Sequence, residues 1–191
     1  MGVPVHTLTL TEFLEWENEQ PDRHEFFRGE TFAMVGGRRG RGRVIANLMR
    51  HLGNHLDESP CQVFSENMKV QVGDEAILYP DVFVTCDQRF TADDIVFTAP
   101  VLIVEVLSPT TQRYDRSEKF AIYRKLSALR EYVLIDPETR RAEVFRPQAD
   151  GSCMYFDMTE HGRLVLESIG FELPLGLVFK GMESDGVEGA G

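Results

Sequence analysis

Seven residues, Val101-Leu102-Ile103-Val104-Glu105-Val106-Leu107, constrain this chain more than any others. The run is aliphatic apart from one glutamate and is closed by Ser108-Pro109, so it predicts a strand of a buried sheet. A glutamate in such a strand is almost never buried unless it is paired or binds a cation. Period-two alternation puts Glu105 on the face of Ile103 and Leu107, near the strand's C-terminal end. It either bonds to a nearby arginine as a strand-end acid or takes part in chemistry.

A second acid stands in a similar frame at Leu78-Tyr79-Pro80-Asp81-Val82-Phe83-Val84. Two carboxylates on neighbouring strands can offer hard oxygen ligands to Mg²⁺ or Mn²⁺. They leave coordination positions for a substrate phosphate and for water. Proline followed by aspartate is also common in turns, and Asp136-Pro137 shows the reverse order in that ordinary role.

The surrounding pattern predicts α/β architecture. Thr9 followed by Glu12 makes a capping box for a helix over 10–19. Strands are expected at 24–28 and 31–35, then a glycine-arginine loop and a long helix ending near Leu56, carried by Val44, Ile45, Leu48, Leu52 and Leu56 at helical spacing. Further strands are expected at 62–64, 68–72, 78–85 and 101–107, a helix over 115–126 and a strand at 131–135. Antiparallel edge strands are expected at 142–146, 154–158 and 163–167, with Asp150-Gly151 as a turn. The expectation is one domain over 1–181, built on a mixed central sheet flanked by helices with antiparallel strands added, and a disordered acidic tail over 182–191.

With 20 basic and 31 acidic side chains the formal net charge is −11, which repels polyanions on average, so any nucleic-acid contact must be local. The densest basic stretch, Gly36 to Arg43, carries Arg38, Arg39, Arg41 and Arg43. It is either a phosphate-contacting segment or a solvated loop. No stretch approaches the ~20 apolar residues of a membrane span, and the N-terminal residues do not read as a signal peptide. The expectation is a soluble cytoplasmic protein. Cys61, Cys86 and Cys153 are far apart in sequence and are expected to be reduced core thiols. The histidines lack zinc-ligand spacing and Ser108 lacks the setting of a hydrolase nucleophile.

The segments Tyr79 to Asp87, Pro100 to Thr111 and Tyr114 to Arg124 together resemble the Uma-two family of restriction-endonuclease-like proteins, a branch of the PD-(D/E)XK nucleases. Leu129 to Leu134 and the hairpin His24 to Glu30 continue the resemblance, which covers nearly all the chain except the tail. It implies a restriction-endonuclease-like fold, with Asp81 and Glu105 as metal ligands. Where the superfamily motif expects lysine, two residues after Glu105, this sequence has Leu107. Lys119 stands where the family carries the displaced lysine. Its plainer role is a helix-surface pair with Asp115. Arg41 replaces a histidine that the family often has before its long helix.

The function expected is therefore metal-dependent hydrolysis of a nucleic-acid phosphodiester, most readily DNA, with Mg²⁺ or Mn²⁺ as cofactor and Asp81, Glu105 and Lys119 as catalytic residues. Glu25 and Glu30 are candidate outer carboxylates. Arg38, Arg39, Arg41, Arg43, Arg113 and Arg116 are candidate phosphate contacts. The alternative is a binding module, for nucleic acid or protein, that keeps the fold without turnover. Exposed strand edges make a homodimer or dimeric scaffold conceivable.

Overall fold

The computed structural model describes residues 5–34, 38–89, 91, 93–109 and 111–182. In chain order the elements are β1 (His6–Thr7), α1 (Leu10–Glu17), β2 (His24–Phe27), β3 (Glu30–Ala33), α2 (Arg39–Leu56), β4 (Gln62–Ser65), β5 (Lys69–Val72), β6 (Ala76–Leu78), β7 (Val82–Thr85), β8 (Val96–Phe97) and β9 (Pro100–Val106). A helical segment follows, made of α3 (Gln112–Tyr114), a π-type turn (Asp115–Lys119) and α4 (Phe120–Tyr123). Then come β10 (Glu131–Asp136), β11 (Arg141–Pro147), β12 (Cys153–Asp157), β13 (Arg163–Leu166), β14 (Phe171–Pro174) and α5 (Leu175–Val178).

The central sheet runs β12-β11-β10-β9-β7-β4. It is mixed, because β9 and β10 are parallel while the pairs around them are antiparallel. Alternation along β9 divides its residues between two cores. Leu102, Val104 and Val106 pack with Val44, Ile45, Leu48, Leu52 and Leu56 of α2, so the helix's apolar stripe covers that face. Ile103 and Leu107 join Ile122, Tyr123 and Leu126 with residues of the second sheet on the other face. The alternation expected for Glu105 is thus observed, and it points Glu105 toward the second sheet and the Lys119 segment.

The mixed central sheet flanked by helices is as expected, and further strands form a second sheet ordered β1-β3-β2-β6-β5-β8. Its cause is local. The strand expected at 78–85 is broken at Tyr79-Pro80-Asp81, where proline has no N–H to give a ladder. Thus β6 pairs with β2 and β5, while β7 enters the central sheet. Strands β11 and β12 extend the central sheet as expected, whereas β13 pairs with β14 instead.

Two further expectations change. Helix α2 begins at Arg39, so Arg39 to Arg43 are helical and not a loop. A Cβ on Gly40 would lie 3.2 Å from Met182 Cε, so glycine here fits a close approach. The tail beyond Met182 lies outside the described residues. The cysteines are neither all reduced nor core thiols. Cys61 and Cys86 stand one position beyond the Gln62↔Thr85 pair of antiparallel β4 and β7 and form a disulfide, and Cys153 is exposed. Their separation of 25 residues in sequence hid their adjacency across the sheet. No described helix is long and apolar enough to cross a membrane.

The pairing predicts a thiol count. Denatured, non-reduced protein should titrate one thiol, Cys153, and three after reduction. Three without reductant would contradict the disulfide.

Candidate active site

Two adjacent strands set the site. The β7–β9 ladder pairs Val82 with Val104, and the next step brings Asp81 opposite Glu105, where β7 bends away at Pro80. Asp81 is fixed there by the Val106 backbone N–H, which donates to Oδ2 at 2.6 Å. Parallel pairing with β10 sets Leu134 beside Glu105.

The helical segment supplies the cation. Lys119 Nζ lies 3.2 Å from Glu105 Oε1, 2.9 Å from Glu25 Oε1 and 3.7 Å from Asp115 Oδ1. It faces inward from the π-wound turn Asp115–Lys119, and such turns are frequent at functional sites. The Tyr132 hydroxyl holds this turn to β10 by donating to the Asp115 carbonyl at 2.8 Å. Tyr123 donates to Glu105 Oε1 at 3.3 Å. The Lys119–Asp115 pair expected at a helix surface exists, but it is buried.

A fourth carboxylate comes from β2, where Glu25 is buried and its Oε1 lies 3.5 Å from the Tyr79 backbone nitrogen. Glu30 is exposed on β3 and makes no contact with this cluster among the described residues. Arg41 reaches in from the first turn of α2. Its guanidinium forks onto Asp81, Nη2 to Oδ1 and Nε to Oδ2 at 3.2 Å, while Nη1 lies 3.5 Å from Glu66 Oε2. The arginine envisaged beside Glu105 therefore pairs with Asp81, and the lysine pairs with Glu105.

Asp81, Glu105 and Asp115 are no more than 2% exposed, Lys119 is 7% and Glu25 8%. Burial pushes the Glu105 carboxyl well above the ordinary carboxylate range. Lys119 opposes that rise, while the carboxylates of Asp81, Asp115 and Glu25 add to it. Burial likewise raises Asp81 against the opposing effect of Arg41, Lys119 and the Val106 N–H, and it raises Asp115 against Lys119. For Lys119 burial works against the charge, yet Glu105, Glu25 and Asp115 outweigh it and hold the ammonium protonated.

Four carboxyl groups thus surround two cations in a buried cluster. The Tyr114 hydroxyl, raised by burial and by the Glu25 and Glu105 carboxylates, is also buried there without a hydrogen-bond partner. A divalent ion with its water shell fits both features. No three described His, Cys, Asp or Glu side chains are grouped to hold a metal alone. Magnesium commonly takes one or two carboxylates, with water and substrate phosphate completing the shell.

The other candidate arginines do not enter the cluster. Arg38 pairs with Glu138 and Arg116 with Glu143, while Arg39, Arg43 and Arg113 are exposed. Sequence reasoning did not identify Asp115, Tyr114 or Tyr123 as site residues, nor Arg41 as the partner of Asp81. The available signal was Tyr114-Asp115 preceding Lys119, but a 3.6-residue period does not register a π turn.

Comparisons with known proteins bear on the family and the fold. The Uma2 family, described as "Putative restriction endonuclease", matches residues 10–176. One uncharacterized protein of Synechocystis sp. is 33% identical over 182 residues, covering 95% of this chain and 96% of its own length. Another from the same organism is 32% identical over 146 residues, covering 75% and 82%. A crystal structure described as a "putative nuclease belonging to DUF820" from Anabaena variabilis superposes with a TM-score of 0.76 at 19% identity, covering 92% of this chain and 99% of that one. At that identity the likeness shows the fold.

The electrostatics predict a pH dependence. Raised carboxyl values mean that the folded state binds more protons than the unfolded state. The stability from these groups is therefore full below about pH 4 and is lost as pH rises through the folded values. In chelator, Glu105→Gln should melt higher than the parent at about pH 8, and the difference should shrink toward about pH 5. A variant that melts several degrees lower at the higher pH would show that ionised Glu105 stabilises the fold.

Proposed function

The chain belongs to the Uma2 family, and we propose that it is a cation-dependent endonuclease that hydrolyses phosphodiester bonds, with DNA as its substrate. One observation carries this reading: Asp81 and Glu105 are buried at facing positions of adjacent strands, with Lys119 on Glu105 and more carboxylates than cations around them.

A Mg²⁺ or Mn²⁺ ion held by Asp81 and Glu105 would supply charge against the phosphate and acidify a neighbouring water. The chain's own groups do the rest. Lys119, kept protonated and held by three carboxylates, can turn one N–H to orient the attacking water or to stabilise charge on the phosphate oxygens. Burial of the cluster strengthens each of these interactions relative to water. Leu107 is packed in the second core cluster, so the motif's usual lysine position holds apolar packing and Lys119 supplies the ammonium from the helical segment.

Phosphate contacts are assigned to Arg39 and Arg43 on the first turns of α2, at the positive end of the helix dipole, and to Arg113. Arg38 and Arg116 would first have to leave Glu138 and Glu143. With a net charge of −11, binding should be weak and salt-sensitive, governed by this local patch. A non-catalytic binding module is the competing reading, favoured by Leu107 and by the ion pair that occupies Asp81.

Single-turnover cleavage of DNA and RNA in Mg²⁺ or Mn²⁺ separates the two. Asp81→Asn and Glu105→Gln should each lose about a hundredfold or more of the rate while remaining folded. If both cut like the parent, the site is elsewhere; if the parent cuts neither substrate, the binding-module reading stands.

The displaced lysine makes a sharper case. Lys119→Ala should remove most activity, and adding Leu107→Lys should restore part of it. Recovery should be partial, because a lysine in the Leu107 packing costs about 1–3 kcal/mol and is imperfectly aimed. Full activity in Lys119→Ala would remove Lys119 from the mechanism. No rescue would refute only the equivalence of the two positions.

A further inference from the structure

Arg41 occupies an unusual position. Its helix is preceded by Arg38, which gives no side-chain cap, and has no acidic residue in its first turn. Arginines there are opposed by the helix dipole, so their presence is not explained by helix stability. The Arg41 side chain is 19% exposed and engages both oxygens of Asp81, whose Oδ2 also accepts the Val106 N–H. Asp81 thereby has no oxygen clear of a positive neighbour. On the solvent side Nη1 faces Glu66, a carboxylate 45% exposed and 3.5 Å away. The guanidinium lies between a buried acid and an accessible one.

We propose that Arg41 is a displaceable internal cation. It neutralises Asp81 until a divalent ion takes that carboxylate, and then it moves onto Glu66 at the rim. This rests on Asp81 being a cation ligand, as proposed above. A guanidinium carries only donors and cannot share an oxygen's metal-facing lone pair. Its charge at contact distance from Asp81 also repels an incoming dication. The ion's apparent affinity is therefore its affinity for the Arg41-free arrangement, reduced by the fraction of molecules in which Arg41 has moved. Glu66 sets that fraction by offering a second partner within one side-chain swing. The displaced guanidinium ends at the mouth of the site, where an entering phosphate would meet it.

Mn²⁺ binding, followed by calorimetry or by the spin-resonance signal of the free ion, tests this without reference to cleavage. The proteins are the parent, Arg41→Ala, Arg41→Gln, Glu66→Gln and Asp81→Asn. Arg41→Ala and Arg41→Gln should each bind Mn²⁺ about tenfold or more tighter than the parent. Glu66→Gln should bind a few-fold more weakly. Asp81→Asn should lose the site. In chelator the Arg41 variants should melt lower than the parent, because Asp81 is left buried without its cation, and Mn²⁺ should raise their melting temperatures by more. A variant that folds only with Mn²⁺ supports the proposal in the same way. If folded Arg41→Ala and Arg41→Gln bind Mn²⁺ no tighter than a parent whose binding needs Asp81, the displacement is overturned while the nuclease proposal stands. If none of the proteins binds Mn²⁺, both fall.

Discussion

Burying Glu105 in an aliphatic strand is the constraint from which the rest of this molecule follows. An isolated ionised carboxylate at 2% exposure is too costly to keep, so the fold must bring charge to it. It does so from the helical segment, where Lys119 supplies a positive charge and Tyr123 a hydroxyl donor, while the opposing strand places a second acid, Asp81, beside it. Each partner is itself buried and brings its own requirement. Lys119 draws in Glu25 and Asp115, and Asp81 draws in Arg41. The resulting network holds more carboxylate than cation, and an imbalance of this kind is weak support for stability but reasonable for binding a metal ion.

The two sheets provide room for this network. Because Pro80 interrupts the ladder, β6 and β7 diverge, and Asp81 sits at the divergence between a central sheet backed by α2 and a second sheet carrying Glu25. A continuous strand over 78–85 would have given Asp81 an ordinary ladder position. The helix dipole of α2 is directed at the same place, and its arginine-rich start is where electrostatic strain in the fold coincides with the proposed substrate path.

Much of this was legible in the residues. The capping box of α1 is formed, Thr9 and Glu12 exchanging hydrogen bonds. The stripe of α2 and the alternation of β9 are as the sequence suggests, because long periodic segments carry their own geometry. What was hidden depended on single residues acting at a distance. Glycines 40 and 42 suggested a loop where the helix had already begun. The short strands β1 and β8, two residues each, have no period to detect. Cys61 and Cys86 meet only because β4 and β7 are paired. Lys119 faces inward from a π turn, which a 3.6-residue period does not register, and Arg41's partner depends on where α2 begins.

The cluster's electrostatics make a claim that diffraction can answer. Crystals soaked in Mn²⁺ and measured for anomalous scattering should show one strong peak about 2.1 Å from oxygens of both Asp81 and Glu105, with the Arg41 guanidinium withdrawn from Asp81. An anomalous map with no peak at these carboxylates, and Arg41 still forked onto Asp81 at saturating Mn²⁺, would contradict the account.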